Sequence, residues 1–144
     1  MKPKKSILHK IVLCILAILL VVGIVFGVYV NDYYHADASA SAALQSDTFV
    51  TVTEQDGSWV FAPHEPVAGL IFYPGGKVEN TAYAPLLQDL AADGVLCVLV
   101  KMPCNLAALD MNAADGIAEK FPQIDSWYIG GHLLGGAMAA NYAA

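Results

Sequence analysis

The feature that most restricts this chain is an uncharged apolar run from Ile11 to Val30, preceded by Lys2, Lys4, Lys5 and Lys10. As a helix rising ~1.5 Å per residue, the run just spans the ~30 Å hydrocarbon layer of a bilayer. Residues 1–30 are therefore expected to form a basic tip and a transmembrane signal anchor, outside any soluble core. Lysines on one side of the run place the N-terminus in the cytoplasm and send the rest outward, because basic segments resist translocation. The expected location is the cell membrane, single-pass, with an extracytoplasmic domain. A cleaved signal peptide and a secreted product form the competing reading. Ala36-Asp37-Ala38 or Ala40-Ser41-Ala42 would then be the small-residue cleavage site, although the run exceeds the usual h-region of ~7–15 residues.

Beyond the run the charge balance reverses. All thirteen acids lie in residues 31–144, with only Lys77, Lys101 and Lys120 to offset them and no arginine anywhere. Single scattered lysines make no basic stripe to neutralise phosphates, so nucleic acid is not an expected partner. Cys14 lies in the apolar run, Cys97 in a second apolar stretch and Cys104 in a loop. The simplest reading is a buried apolar side chain at Cys97 and an incidental thiol at Cys104, not a disulfide framework. The four histidines stand at no ligand spacing to one another or to a cysteine, so neither metal nor cofactor is expected.

Residues 31–47, Ala/Ser-rich after Asn-Asp-Tyr-Tyr-His, read as a stalk. Tyr33 and Tyr34 suit a membrane interface, though they serve equally as the start of a cap packing on the domain. From residue 48 the pattern changes. Thr48–Thr53 and Ser58–Phe61 flank an Asp56-Gly57 turn signal and predict a β-hairpin. Ala68–Tyr73 predicts a strand, and Tyr83, Leu86, Leu87, Leu90 and Ala91 fall at helical spacing up to Gly94. Val95–Val100 is a continuous apolar run, as expected of a parallel strand covered on both faces. Leu106, Leu109, Ala113 and Ile117 predict a second helix ending at Phe121-Pro122, followed by a strand over Ser126–Gly130. Strand, helix, strand, helix, strand is the order of βαβ units in a parallel sheet.

Two glycine-rich segments carry the chemistry. Gly130-Gly131-His132-Leu133-Leu134-Gly135-Gly136 sits where a strand turns into a helix, the setting of a Gly-x-Ser-x-Gly nucleophile elbow. Gly131 and Gly135 fit its two glycines, which puts Leu133 where the nucleophile would stand. The turn asks for a positive φ at that position, so Leu133 either holds a strained backbone or relaxes the turn. Upstream, Pro74-Gly75-Gly76 follows the first central strand and brings backbone N–H groups toward a substrate carbonyl. Gly76 or Lys77, with Leu134, would form an oxyanion hole. Nucleotide-binding glycine patterns fail on spacing. Cys104 and Ser126 lie at no comparable turn, and His64 with an earlier acid makes a poor alternative triad.

With Tyr73-Pro74-Gly75-Gly76-Lys77-Val78 upstream of this elbow, the stretch from residue 48 to residue 144 resembles bacterial α/β-hydrolases of the dienelactone-hydrolase-like group (α/β-hydrolase family 5-like). The resemblance implies the N-terminal half of an α/β-hydrolase fold, a hairpin and three parallel strands with crossover helices, preceded here by one transmembrane helix. It implies serine-nucleophile hydrolysis of an ester, lactone or similar small-molecule carbonyl substrate. It also implies that His132 packs under the elbow and is not the base, since chain order in this fold is Ser, then Asp or Glu, then His. This sequence departs from the pattern at Leu133, and neither an acid nor a histidine follows it. The expectation is a truncated domain without catalysis, with a non-catalytic membrane-tethered binding module as the alternative.

Overall fold

The computed structural model describes residues 5–144; Lys2 and Lys4, on which the predicted orientation partly rests, lie outside the described residues. The chain divides into two units, Met1–Asp32 and Tyr33–Ala144. The first is helix α1, Lys5–Asn31, whose Ile7–Asn31 stretch is long and apolar enough to cross a membrane and is buried nowhere.

The second unit is built on a five-stranded sheet in the order β1-β2-β4-β3-β5. Strands β1 (Val50–Gln55) and β2 (Ser58–Pro63) form the predicted hairpin, closed by Asp56 (φ 53°) and Gly57 (φ 78°) as a type I′ turn requires. β2 runs antiparallel to β4 (Val95–Leu99), while β3 (Ala68–Tyr73) lies parallel between β4 and β5 (Trp127–Gly131). Alternation sends β3 and β4 side chains to two cores. Ile71, Tyr73, Leu96, Val98 and Val100 join one face, and Phe72, Cys97 and Leu99 the other. Every residue from Leu96 to Val100 is thereby buried, which is why that stretch is apolar without a break.

Helix α3 (Ala84–Ala92) covers the second face with Ala84, Leu87 and Ala91 and stops at Gly94, whose φ of 94° suits glycine. Helix α4 (Leu134–Ala143) covers the first through Ala139. The stalk segment is folded against this unit. Tyr34 pairs with Val78, and a short helix α2 (Ala38–Ala43), capped by the Asp37 carboxylate accepting from the Ser39 and Ala40 N–H groups, buries Ala40 and Ala43.

The predicted second crossover helix is not an α-helix. Residues 103–105, 107–109 and 118–120 form separate single turns of 3-10 helix with turns between them. Two causes are visible. Cys104, Asn105 and Gly116 hold positive φ, which interrupts a right-handed helix. In addition, the buried Tyr73 hydroxyl accepts from the Ala114 N–H at 2.8 Å and donates to the Met111 carbonyl at 2.9 Å, capturing groups a helix would pair internally. Of the four positions expected to face the core, Ile117 is buried, Leu106 and Ala113 are half-buried and Leu109 is exposed, while Ala107 and Ala114 fill the first core instead.

Candidate functional site

From β3 the chain crosses by α3 to β4 on one side, and from β4 the second crossover carries it back past β3 to β5 on the other. The crevice at the carboxyl end of such a strand is where open α/β sheets place ligands. Both glycine-rich segments lie there, because Tyr73, the last residue of β3, is in register with Gly131, the last of β5.

After Gly131 the chain reverses within two residues and enters α4. The His132 N–H donates to the Tyr73 carbonyl at 3.2 Å, the Gly135 N–H to the His132 carbonyl at 2.9 Å and the Ala137 N–H to the Leu133 carbonyl at 2.9 Å. No side chain fits at the two flanking glycines. A Cβ on Gly131 would lie 2.5 Å from the Tyr73 oxygen, and one on Gly135 would collide with the Tyr73 and Pro74 carbonyl oxygens. Leu133 takes φ 47° and ψ −115°, a conformation an L-residue holds only under strain, and its side chain is 75% exposed. Of the two outcomes expected for Leu133, strain or a relaxed turn, the chain adopts strain.

The upstream turn is held from three sides. The Gly75 N–H donates to the Tyr83 hydroxyl at 3.0 Å, and the Lys77 N–H donates to the Asn105 carbonyl at 2.9 Å. The Lys77 carbonyl in turn accepts from the Tyr34 N–H at 2.8 Å. Between these engaged groups the Gly76 N–H meets no protein acceptor among the described residues, and neither does the Leu134 N–H, an orphan donor at the start of α4. The two turns touch. A Cβ on Gly76 would lie 3.0 Å from Leu134 Cδ2 and 3.8 Å from Leu106 Cδ2.

His132 is exposed, not packed beneath the turn, yet its ring is tethered: Nδ1 lies 2.9 Å from the Tyr83 hydroxyl. Because that hydroxyl already accepts from Gly75, its own proton is free to go to an unprotonated Nδ1. Burial pushes the Tyr83 phenol up, only partly countered by the Gly75 N–H. Tyr83, Asn105 and Tyr34 were not foreseen as site residues. Tyr83 had one faint signal, a tyrosine on an otherwise apolar helical face, where a buried hydroxyl needs a partner.

The remaining candidates lie apart. His64 bonds the Thr48 carbonyl through Nε2, and Cys104 is exposed in the second crossover. Ser126 serves through its carbonyl, which accepts from the Gly69 N–H. Among the described residues no group of His, Cys, Asp or Glu could hold a metal ion. A cavity of about 440 Å³ lies along β5, between Trp127–Ile129, residues 114–119 and Tyr142, and neither Gly76 nor Leu133 lines it.

Compared with known proteins, residues 69–144 match the model of the alpha/beta hydrolase family, more than half of the chain. The chain belongs to that family. Neither a curated protein nor a solved structure matches it.

Proposed function

We propose that this chain is a membrane-tethered member of the dienelactone-hydrolase-like group that binds a small-molecule carbonyl at its two glycine turns and does not hydrolyse it. The supporting observation is the pair of unengaged N–H groups, Gly76 and Leu134, on touching turns whose neighbouring N–H groups at Gly75, Lys77 and Gly135 are all engaged. Two backbone donors on adjoining turns are what an oxyanion hole offers to a polarised carbonyl oxygen. In this reading Gly76, and not Lys77, is the upstream donor. Leu133 stands where the family's attacking serine stands, and a hydrocarbon side chain has no lone pair to attack with and no proton to give up. Strain at Leu133 supports the assignment, since a bulky residue with φ 47° is costly anywhere the fold does not force it. Helix α1 supplies the anchor, with the second unit outside the membrane.

The test uses the full chain in lipid nanodiscs. Turnover of 4-nitrophenyl acetate should equal that of a heat-denatured control, and a fluorophosphonate probe should label nothing. A small ester should nonetheless shift the amide resonances of Gly76 and Leu134. Ester turnover above the control, or labelling at any residue, would overturn the reading and demand another nucleophile.

A further inference from the structure

Tyr34, the second residue of the folded unit, is fixed beside the Gly76 turn. Its N–H donates to the Lys77 carbonyl and its carbonyl accepts from the Glu79 N–H, both at 2.8 Å. The attachment continues, since the Glu79 carboxylate accepts from the Ala36 N–H at 3.0 Å and from the Thr81 hydroxyl at 2.9 Å. Helix α1 ends at Asn31. Three residue steps therefore separate the apolar helix from a backbone pinned to the turn, and three steps reach at most ~11 Å. Whatever angle the two units adopt, this length of chain bounds how far the turn can stand from the end of the helix.

We infer that the site works at the bilayer surface and takes its ligand from the lipid phase, as the acyl ester of an uncharged membrane lipid. This rests on the carbonyl-binding reading of Gly76 and Leu134 and on α1 remaining in the membrane. The residues at the turn suit that ligand. Leu133 and Tyr34 are 75% and 78% exposed, so both offer apolar surface to a lipid chain beside the donor pair. Tyr33 and Tyr34 are residues of the membrane–water interface. Charge selects among lipids. Lys77 lies on the turn and His35 is 3.5 Å from the Glu79 carboxylate, but the part beyond the anchor carries thirteen acids against three lysines, so its net charge disfavours an anionic headgroup over a neutral glyceride.

The full chain in phosphatidylcholine nanodiscs tests this by amide resonances alone. With a gadolinium-chelate headgroup lipid, the Gly76 and Leu134 signals should broaden several-fold more than that of Val67, which precedes β3 at its far end, about 20 Å away along a six-residue strand. A flexible Gly/Ser insert between Asp32 and Tyr33, with a reach of about 25 Å, should abolish the difference. Diacylglycerol in the disc should shift Gly76 and Leu134 at a total amount several-fold below that at which methyl acetate in the water does. Equal or greater broadening at Val67, or shifts with methyl acetate but not with diacylglycerol, would overturn the inference and leave the carbonyl site standing. Shifts with neither ester would remove the carbonyl site itself. Loss of the chain from the discs would instead refute the anchor.

Discussion

Two segments at the same end of the sheet are held by one residue in different ways. The turn from Gly131 to Gly135 closes on the backbone of Tyr73, whose carbonyl accepts from the His132 N–H and leaves no room for a side chain at either glycine. The second crossover closes on the side chain of the same residue, whose hydroxyl bridges Met111 and Ala114. Backbone sterics tolerate no alternative, whereas a hydroxyl bridge can be removed atom by atom. The turn should therefore fail abruptly when altered and the crossover should weaken by degrees.

Gly135→Ala is the severest way to break this contrast. The new methyl would meet two backbone carbonyl oxygens that cannot rotate away, and the expected cost is about 3 kcal/mol or more. Circular dichroism melts should show a broad, early transition or none. Gly130→Ala serves as control, because its Cβ would meet only Leu70 Cδ1, at 3.8 Å, and should cost little beside it. Equal damage from both would show that the turn is not sterically locked.

Tyr73→Phe probes the crossover. The ring stays in the core, but the buried Ala114 N–H loses its acceptor, at a cost of about 2 kcal/mol. A fall in Tm of roughly 10 °C follows for a domain of this size. A pH signature accompanies it. Burial holds the Tyr73 phenol above its ordinary 10.0, so the folded state binds that proton more tightly than the unfolded state. Its stabilisation is complete below pH ~10 and is lost as pH rises toward the folded value. Tyr73→Phe should flatten that alkaline decline in urea titrations, and an unchanged slope would argue against the buried hydroxyl.

These contrasts also account for what the sequence disclosed. Hairpin, parallel strands and the glycine turn were legible because each follows from local rules: Asp56-Gly57 for the type I′ turn, unbroken apolar residues for β4, and paired glycines where a strand meets a helix. The second crossover departs from the expected helix because the spacing of Leu106, Leu109, Ala113 and Ile117 does not say which partner takes the backbone hydrogen bonds, and without the helix Leu109 is left exposed. That partner, Tyr73, lies 38 residues from Met111 in sequence. The docking of Tyr34 on Lys77 and of Tyr83 on Gly75 was hidden for the same reason, as each joins a side chain or strand fragment to a backbone group across the fold. At the two glycine turns the sequence left Gly76 and Lys77 as equal candidates, because the hydrogen bond from the Lys77 N–H to the Asn105 carbonyl, which favours Gly76 in the proposed reading, joins groups 28 residues apart.

The smallest effect is a gain. Leu133 holds φ 47° and ψ −115°, outside the regions an L-residue occupies comfortably, and such a backbone costs of order 1–3 kcal/mol. Glycine has no Cβ to oppose this conformation, although its freer unfolded chain returns about 0.5–1 kcal/mol of the benefit. Little burial is forfeited, because the leucine is 75% exposed. Leu133→Gly should therefore stabilise the folded unit by about 1 kcal/mol and raise Tm by roughly 4 °C. Leu133→Ala separates the causes, since it discards the same exposed hydrocarbon and keeps the Cβ that creates the strain. Its Tm should stay near that of the unaltered chain. Equal gains from alanine and glycine would assign the instability to the exposed side chain, and the turn would then be no more strained than the crossover beside it.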